Sequence, residues 1–166
     1  MSASYEEFGR ASLVPRLTAL AAKTVIFDVE PLVADWDSGQ EMLDRGIARV
    51  LDELRAIPGV LLVCFATNSS RQPSVLPQRP GLQVEFVAFA RKPLWTAPYR
   101  NFPRPGVVIG DQVLTDGLLA RRLGYTFLHY SAEPAAMPRG PRLLSQVGGL
   151  VRPVLFARDR RRHQAR

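Results

Sequence analysis

The sequence predicts an open, mostly parallel α/β sheet, and three features carry that prediction. Five runs, TVIFDV, VLLVCFAT, LQVEFVAFA, PGVVIGD and YTFLHY, are rich in β-branched and aromatic residues and short enough to be strands. The first lacks the polar alternation of a half-exposed strand, so helices should cover both of its faces. Amphipathic stretches at helical spacing separate several of the runs, and this strand–helix–strand alternation builds parallel sheets.

Taken in order, residues 1–22 read as an adapter segment, with one small helix around SYEEFG and Pro15 ahead of TALAAK. TVIFDV is the first strand. SGQEMLDRGIARVLDELRAI then predicts a helix with Met42 or Leu43, Ile47, Val50, Leu51 and Leu54 along one face. Ser38 and Glu41 have the spacing of a capping box at its start, and Pro58 with Gly59 stops it. VLLVCFAT is the second strand. RQPSVLPQRPG is dense in proline and reads as an irregular connection with at most one short helical turn. LQVEFVAFA is the third strand, and RKPLWTAPYRNF leads into a short or broken helix. PGVVIGD is the fourth. QVLTDGLLARRLG predicts an amphipathic helix turning Leu114, Leu118, Leu119 and Leu123 toward the sheet, with YTFLHY as the fifth strand beyond it. AEPAAMPRGPR reads as a linker, and the remainder folds back as a short helix before a basic tail. The expected organisation is therefore 1–22 adapter, 23–130 core, and 131–166 linker and tail.

A length of 166 residues with 46% hydrophobic content suits one domain with an ordinary core. Cys64 stands alone inside an apolar run, so no internal disulfide is open to it and a reducing compartment is expected. The N-terminus lacks a signal-peptide core, and no stretch approaches the roughly 18 apolar residues that a membrane span needs. A cytoplasmic protein is the resulting expectation. The net charge is +7, with Lys23 and Lys92 as the two lysines, and five arginines lie in the tail ARDRRRHQAR. Such a tail is either a solvated end or a contact for RNA, anionic lipid or an acidic protein face. Without aromatic interleaving or a binding module, nucleic acid is the weaker expectation. No GxGxxG follows the first strand and no P-loop occurs, which argues against dinucleotide and Walker-type sites.

Polar residues recur where each strand ends. Asp28 and Glu30 follow the first, Thr67 and Asn68 the second, Lys92 the third, and Asp111 with Asp116 the fourth. Open α/β sheets place their chemistry in the crevice at the carboxyl ends of the strands. Each residue also has a plainer reading: a strand-terminating acid for Asp28, a helix cap for Thr67, a solvated lysine for Lys92, and a first-turn acid for Asp116.

In the order FDVE, ATNSS, ARKP and GDQVLTD, these segments resemble the four motifs of the haloacid dehalogenase superfamily of phosphatases. VADWD, ARKP and GDQVLTD resemble its YqeG branch, which is related to phosphatidylglycerophosphate phosphatases. The likeness spans roughly Lys23 to Tyr130. It implies a three-layer Rossmann-like core with little or no cap, a Mg²⁺ cofactor and an aspartyl-phosphate intermediate. On it, Asp28 is the nucleophile and Glu30 the general acid/base. Thr67 and the main-chain N–H of Asn68 bind phosphoryl oxygens, and Lys92 holds nucleophile and phosphoryl group together. Asp111 binds the metal with Asp28 and the carbonyl of residue 30, and Asp116 reaches a metal-bound water or braces Lys92. The implied substrate is phosphatidylglycerophosphate-like or another small phosphorylated molecule, the lipid case requiring a peripheral approach to membrane.

The chain also departs from the family. Glu30 stands where aspartate is usual, and Pro31 and Leu32 replace asparagine and threonine. A second expectation follows, a weak or inactive protein that keeps the metal and phosphate pocket. Arg91 is expected to widen the positive field, Trp36 either to shape the pocket mouth or to pack on the body, Gln112 and Thr115 to brace locally, and His129 to approach the pocket edge or remain apart.

Overall fold

The computed structural model describes residues 4–8, 13–130, 147–153 and 155–156. Six strands form one sheet: β1 (Tyr5–Phe8), β2 (Thr24–Asp28), β3 (Leu62–Ala66), β4 (Gln83–Val87), β5 (Gly106–Gly110) and β6 (Thr126–Tyr130). Their spatial order is β1-β6-β5-β2-β3-β4, and every pairing is parallel. The chain moves outward from β2 through β3 to β4, then returns to the other flank of β2 at β5. That reversal opens a crevice between the carboxyl ends of β2 and β5.

β2, β3 and β5 are buried along their whole length, as their unbroken apolar runs require. Because successive side chains point to opposite faces, each strand feeds two cores. Val25, Phe27, Val63, Phe65, Val107 and Ile109 pack on one face with α1 (Leu13–Ala19) and α2 (Gln40–Leu54). Ile26, Cys64, Val108 and Phe127 pack on the other with α3 (Leu118–Leu123), Tyr99 and Phe156. The three-layer α/β expectation is met.

In α2, Leu43, Ile47, Val50, Leu51 and Leu54 are buried, whereas Met42 is 49% exposed. Gly46 lies against the main chain of Val33, so close that any Cβ would collide with the Val33 carbonyl. That approach presses α2 onto the loop leaving β2. The connection from β3 to β4 carries no helix, as its prolines predict, and Ala97–Tyr99 is a single 3-10 turn. After β5, Val113–Gly117 forms a π-turn before α3 begins. Leu119 and Leu123 face the core as expected, but Val113 and Ala120 complete that face while Leu114 and Leu118 are only half-buried.

Two expectations are corrected. Tyr5–Phe8 is a strand, in register from Tyr5↔Phe127 to Phe8↔Tyr130, where a small helix was expected. The free edge of β6 supplies a backbone partner, and that long-range pairing overrides local preference. Leu13 and Leu17 of α1 are buried in the core shared with α2. Ser38 does not cap α2: the N-cap is Gly39, and the Ser38 hydroxyl donates to the Asp35 carbonyl. At the other end, residues 147–153 are helical, and Phe156 packs on Tyr5 and Phe127, so the chain does fold back. The linker AEPAAMPRGPR and the basic tail ARDRRRHQAR lie outside the described residues.

Candidate active site

Asp28 ends β2, Thr67 follows β3 directly, and Asp111 follows β5, so the parallel register alone brings these polar residues to one rim. Lys92 arrives from the far side of the sheet. The turn after β4 places Phe89 and Arg91 in left-handed backbone, with φ of 48° and 49°. Main-chain bonds from Ala90 N to Thr67 O at 2.8 Å and from Phe89 N to Ser69 O at 2.9 Å tie this turn to the end of β3. The Asn68 side chain completes the tie, accepting from Lys92 N at 2.8 Å and donating to Lys92 O at 3.3 Å.

The Lys92 ammonium is then aimed inward, where it reaches Asp28 Oδ1 at 2.7 Å, Asp116 Oδ1 at 2.7 Å and the Ala66 carbonyl at 3.2 Å. All three of its donors are used. Asp116 comes from the π-turn, and its Oδ2 accepts from Gln112 N at 3.3 Å. Gly110 makes this possible, because a Cβ there would overlap the Asp116 carboxylate. The ion pair with Lys92 is the contact that the bracing role expects of Asp116.

Asp111 differs from its neighbours. It is 2% exposed, and neither of its carboxylate oxygens has a hydrogen-bond partner from any other described residue. One oxygen from each of Asp28, Asp111 and Asp116 can be chosen so that all lie within 4.8 Å of one another. Burial, then repulsion from Asp116, pushes the Asp111 carboxyl up to about 7. Burial raises Asp28 as well, with Asp116 and Asp111 adding to it and Lys92 opposing. For Lys92, burial disfavours the charge, but Asp116 and Asp28 outweigh that and hold it above the ordinary lysine range. Were all three carboxylates ionised, as cation binding requires, the one ammonium would leave two negative charges to be offset. An orphaned, buried carboxylate and an excess of two charges suit a divalent cation with oxygen ligands.

Glu30 has hydrogen-bond partners of its own. Thr67 Oγ1 donates to Glu30 Oε2 at 2.7 Å, and Ser69 Oγ and Arg71 Nη1 each lie 3.4 Å from Oε1. The Thr67 hydroxyl, expected on a phosphoryl oxygen, is therefore spent on Glu30. Arg71 also donates to Asp35 O at 2.9 Å and Ser38 O at 3.0 Å, which fastens the loop carrying Trp36 to the rim.

Asp28, Glu30, Trp36, Thr67, Asn68, Ser69, Arg71, Lys92, Gln112 and Thr115 enclose a cavity of ≈ 280 Å³. Trp36, Gln112 and Thr115 thus reach the pocket, whereas Arg91 is exposed and does not line it. His129 does not line it either, but its Nε2 is 3.0 Å from the Asp111 carbonyl oxygen. Ser69 and Arg71 escaped sequence reasoning. Their one signal was position, directly after Thr67 and Asn68.

Fold and site together define an open α/β protein with a carboxylate–ammonium cluster buried at its topological switch point. Comparison of the chain with protein-family models, curated proteins and solved structures returned no match.

Proposed function

We propose that the chain is a Mg²⁺-dependent phosphomonoester hydrolase of the haloacid dehalogenase type, working through Asp28. The observation that carries this reading is the orphaned Asp111 carboxylate beside Asp28, in a cluster whose single ammonium is Lys92.

The Asp28 carboxylate attacks phosphorus, forming an acyl phosphate as the bond to the leaving oxygen breaks, and Glu30 gives that oxygen its proton. Water then attacks the acyl phosphate, Glu30 takes the proton, and inorganic phosphate leaves with Asp28 restored. Lys92 holds the nucleophile and offsets charge on the phosphoryl oxygens, and Asp116 keeps the ammonium in place. Thr67 and Arg71 orient Glu30, while the main-chain N–H of Asn68 is a second donor for the phosphoryl group. Asp28, Asp111 and the carbonyl of Glu30 would hold Mg²⁺, which supplies shielding between carboxylate and phosphoryl oxygens.

The substrate on this reading is a phosphorylated small molecule or lipid head group, for which the polar lining of the ≈ 280 Å³ cavity, Thr67, Asn68, Lys92 and Arg71, is suited. Among the described residues no helix is long and apolar enough to cross a membrane, so a lipid substrate implies a peripheral approach. The test is hydrolysis of an aryl phosphate, sugar phosphates and lipid phosphates with and without Mg²⁺. Turnover that needs Mg²⁺ and disappears in Asp28→Asn supports the reading, and unchanged turnover in that variant overturns it.

One observation favours a second reading. The Glu30 carboxylate is already engaged by Thr67 and Arg71, which suits a protein that binds a metal and a phosphorylated ligand without turning it over. Metal binding by the wild type without hydrolysis, together with activity gained in Glu30→Asp, would favour that alternative.

A further inference from the structure

We propose that His129 is a positioning residue for the Asp111 carboxylate, and that both ends of the chain hold His129 in place.

With no partner on its side chain from another described residue, Asp111 takes its direction from its main chain. His129 Nε2 lies 3.0 Å from the Asp111 carbonyl oxygen, which can only accept, so Nε2 carries the proton. In the neutral ring Nδ1 is then an acceptor, and the Tyr5 hydroxyl 2.9 Å away donates to it. The Tyr5 oxygen in turn accepts from Arg152 Nη1 at 3.0 Å. Arg152 is fixed by its own contacts, 5.2 Å over the Tyr5 ring and 3.3 Å from Glu7 Oε1. Every bond thus runs one way, from Arg152 through Tyr5 and His129 to Asp111. Glu7 Oε1 also lies 3.6 Å from Nδ1, so a charged ring would be met there by a carboxylate, with the bond to Asp111 retained.

Tyr5 belongs to edge strand β1 and Arg152 to the helical residues 147–153. That helix reaches the other side of the same turn, where a Cβ on Gly148 would stand 3.2 Å from Val113 Cβ. Phe156 closes the contact against Tyr5 and Phe127, at ring separations of 5.3 and 6.1 Å. The terminal segments therefore grip the turn carrying Asp111 and Asp116 without lining the cavity. Outer partners that orient metal-binding groups commonly govern affinity.

The inference deepens the metal reading and rests on it. The experiment is calorimetric titration of the full chain with Mn²⁺, without substrate, beside the metal-free unfolding midpoint. Tyr5→Phe keeps the ring and removes only the hydroxyl. It should weaken Mn²⁺ binding about threefold to tenfold, while the metal-free midpoint falls by no more than the loss of the hydroxyl's own hydrogen bonds accounts for. His129→Ala should weaken it about tenfold or more, and His129→Gln, which can return an N–H to the Nε2 position, should recover part of that loss. Affinities within about twofold of wild type in Tyr5→Phe and His129→Ala overturn the inference and leave the metal reading intact. So does a His129→Gln variant no better than His129→Ala. A wild type that binds no Mn²⁺ overturns both, and if His129→Ala does not fold, Tyr5→Phe decides.

Discussion

Asp111 and Asp116 stand on one turn with opposite partners: Asp116 shares the Lys92 ammonium at 2.7 Å, whereas neither oxygen of Asp111 is met by another described residue. A buried carboxylate left without a donor destabilises a fold unless something else satisfies it. The pair therefore divides into a carboxylate that braces Lys92 and one that could hold a cation.

Asp111→Asn tests that division. In the wild type, Mg²⁺ at about a hundredfold excess over its Kd should add about 2.7 kcal/mol, or roughly 5–10 °C of unfolding midpoint for a chain this size. The variant should lose this increment, because the amide brings no charge to the cation. Differential scanning calorimetry with and without Mg²⁺ checks it, and an equal increment in both proteins rejects Asp111 as a ligand.

The pH dependence of the metal-free protein follows from the same carboxylate. Burial, with repulsion from Asp116, raises Asp111 from 3.8 to about 7, so between these values the folded state binds more protons than the unfolded one. Stability then falls as pH rises through that window, the contribution being fully present below about 4 and gone above about 7. Asp28 is shifted the same way. Urea unfolding in the presence of a chelator should show a decline of a few kcal/mol across the window, flattened in Asp111→Asn.

Lys92→Met removes the one ammonium from the cluster and leaves Asp28 and Asp116 buried without their cation. Breaking such a pair from one side costs about 3–5 kcal/mol. Urea midpoints at pH 8 should record that loss. At pH 4 the loss should be smaller, because burial and repulsion from Asp116 favour the neutral form of Asp28 and Lys92 no longer opposes them.

How much of this was legible in the sequence depended on whether the decisive contact was local. β2, β3 and β5 announce themselves because strands covered on both faces must be apolar throughout, and their shared polarity of direction then gathers Asp28, Thr67 and Asp111 at one rim. α2 is legible for the same reason, since Leu43, Ile47, Val50 and Leu54 repeat at the spacing of one helical face. β1 is not, because YEEF carries two glutamates and becomes a strand only against the free edge of β6. Arg71 is invisible likewise: its partners Glu30, Asp35 and Ser38 lie 33 to 41 positions away, and the Ser38 oxygens it takes help explain why the expected capping box does not form.

Gly110→Ala probes how the brace is seated. An added Cβ would overlap the Asp116 carboxylate and stand 2.7 Å from Asp116 Cβ, a contact that no rotation of a long side chain can relieve. Asp116 must shift, and Lys92, bound to Asp116 and Asp28 at once, must shift with it. The expected cost is about 1–3 kcal/mol of stability. If Lys92 positions the reacting group, a displacement near 1 Å should also reduce hydrolysis about a hundredfold. Gly149→Ala is the matched comparison, because nothing lies within 4 Å of the added carbon on an exposed helical residue. There the same methyl should stabilise the chain by up to about 1 kcal/mol through helix propensity and leave hydrolysis unchanged. Unfolding curves and turnover measured on both variants separate crowding at the cluster from any general effect of replacing glycine, and equal behaviour of the two would mean that Asp116 has room to move without disturbing Lys92.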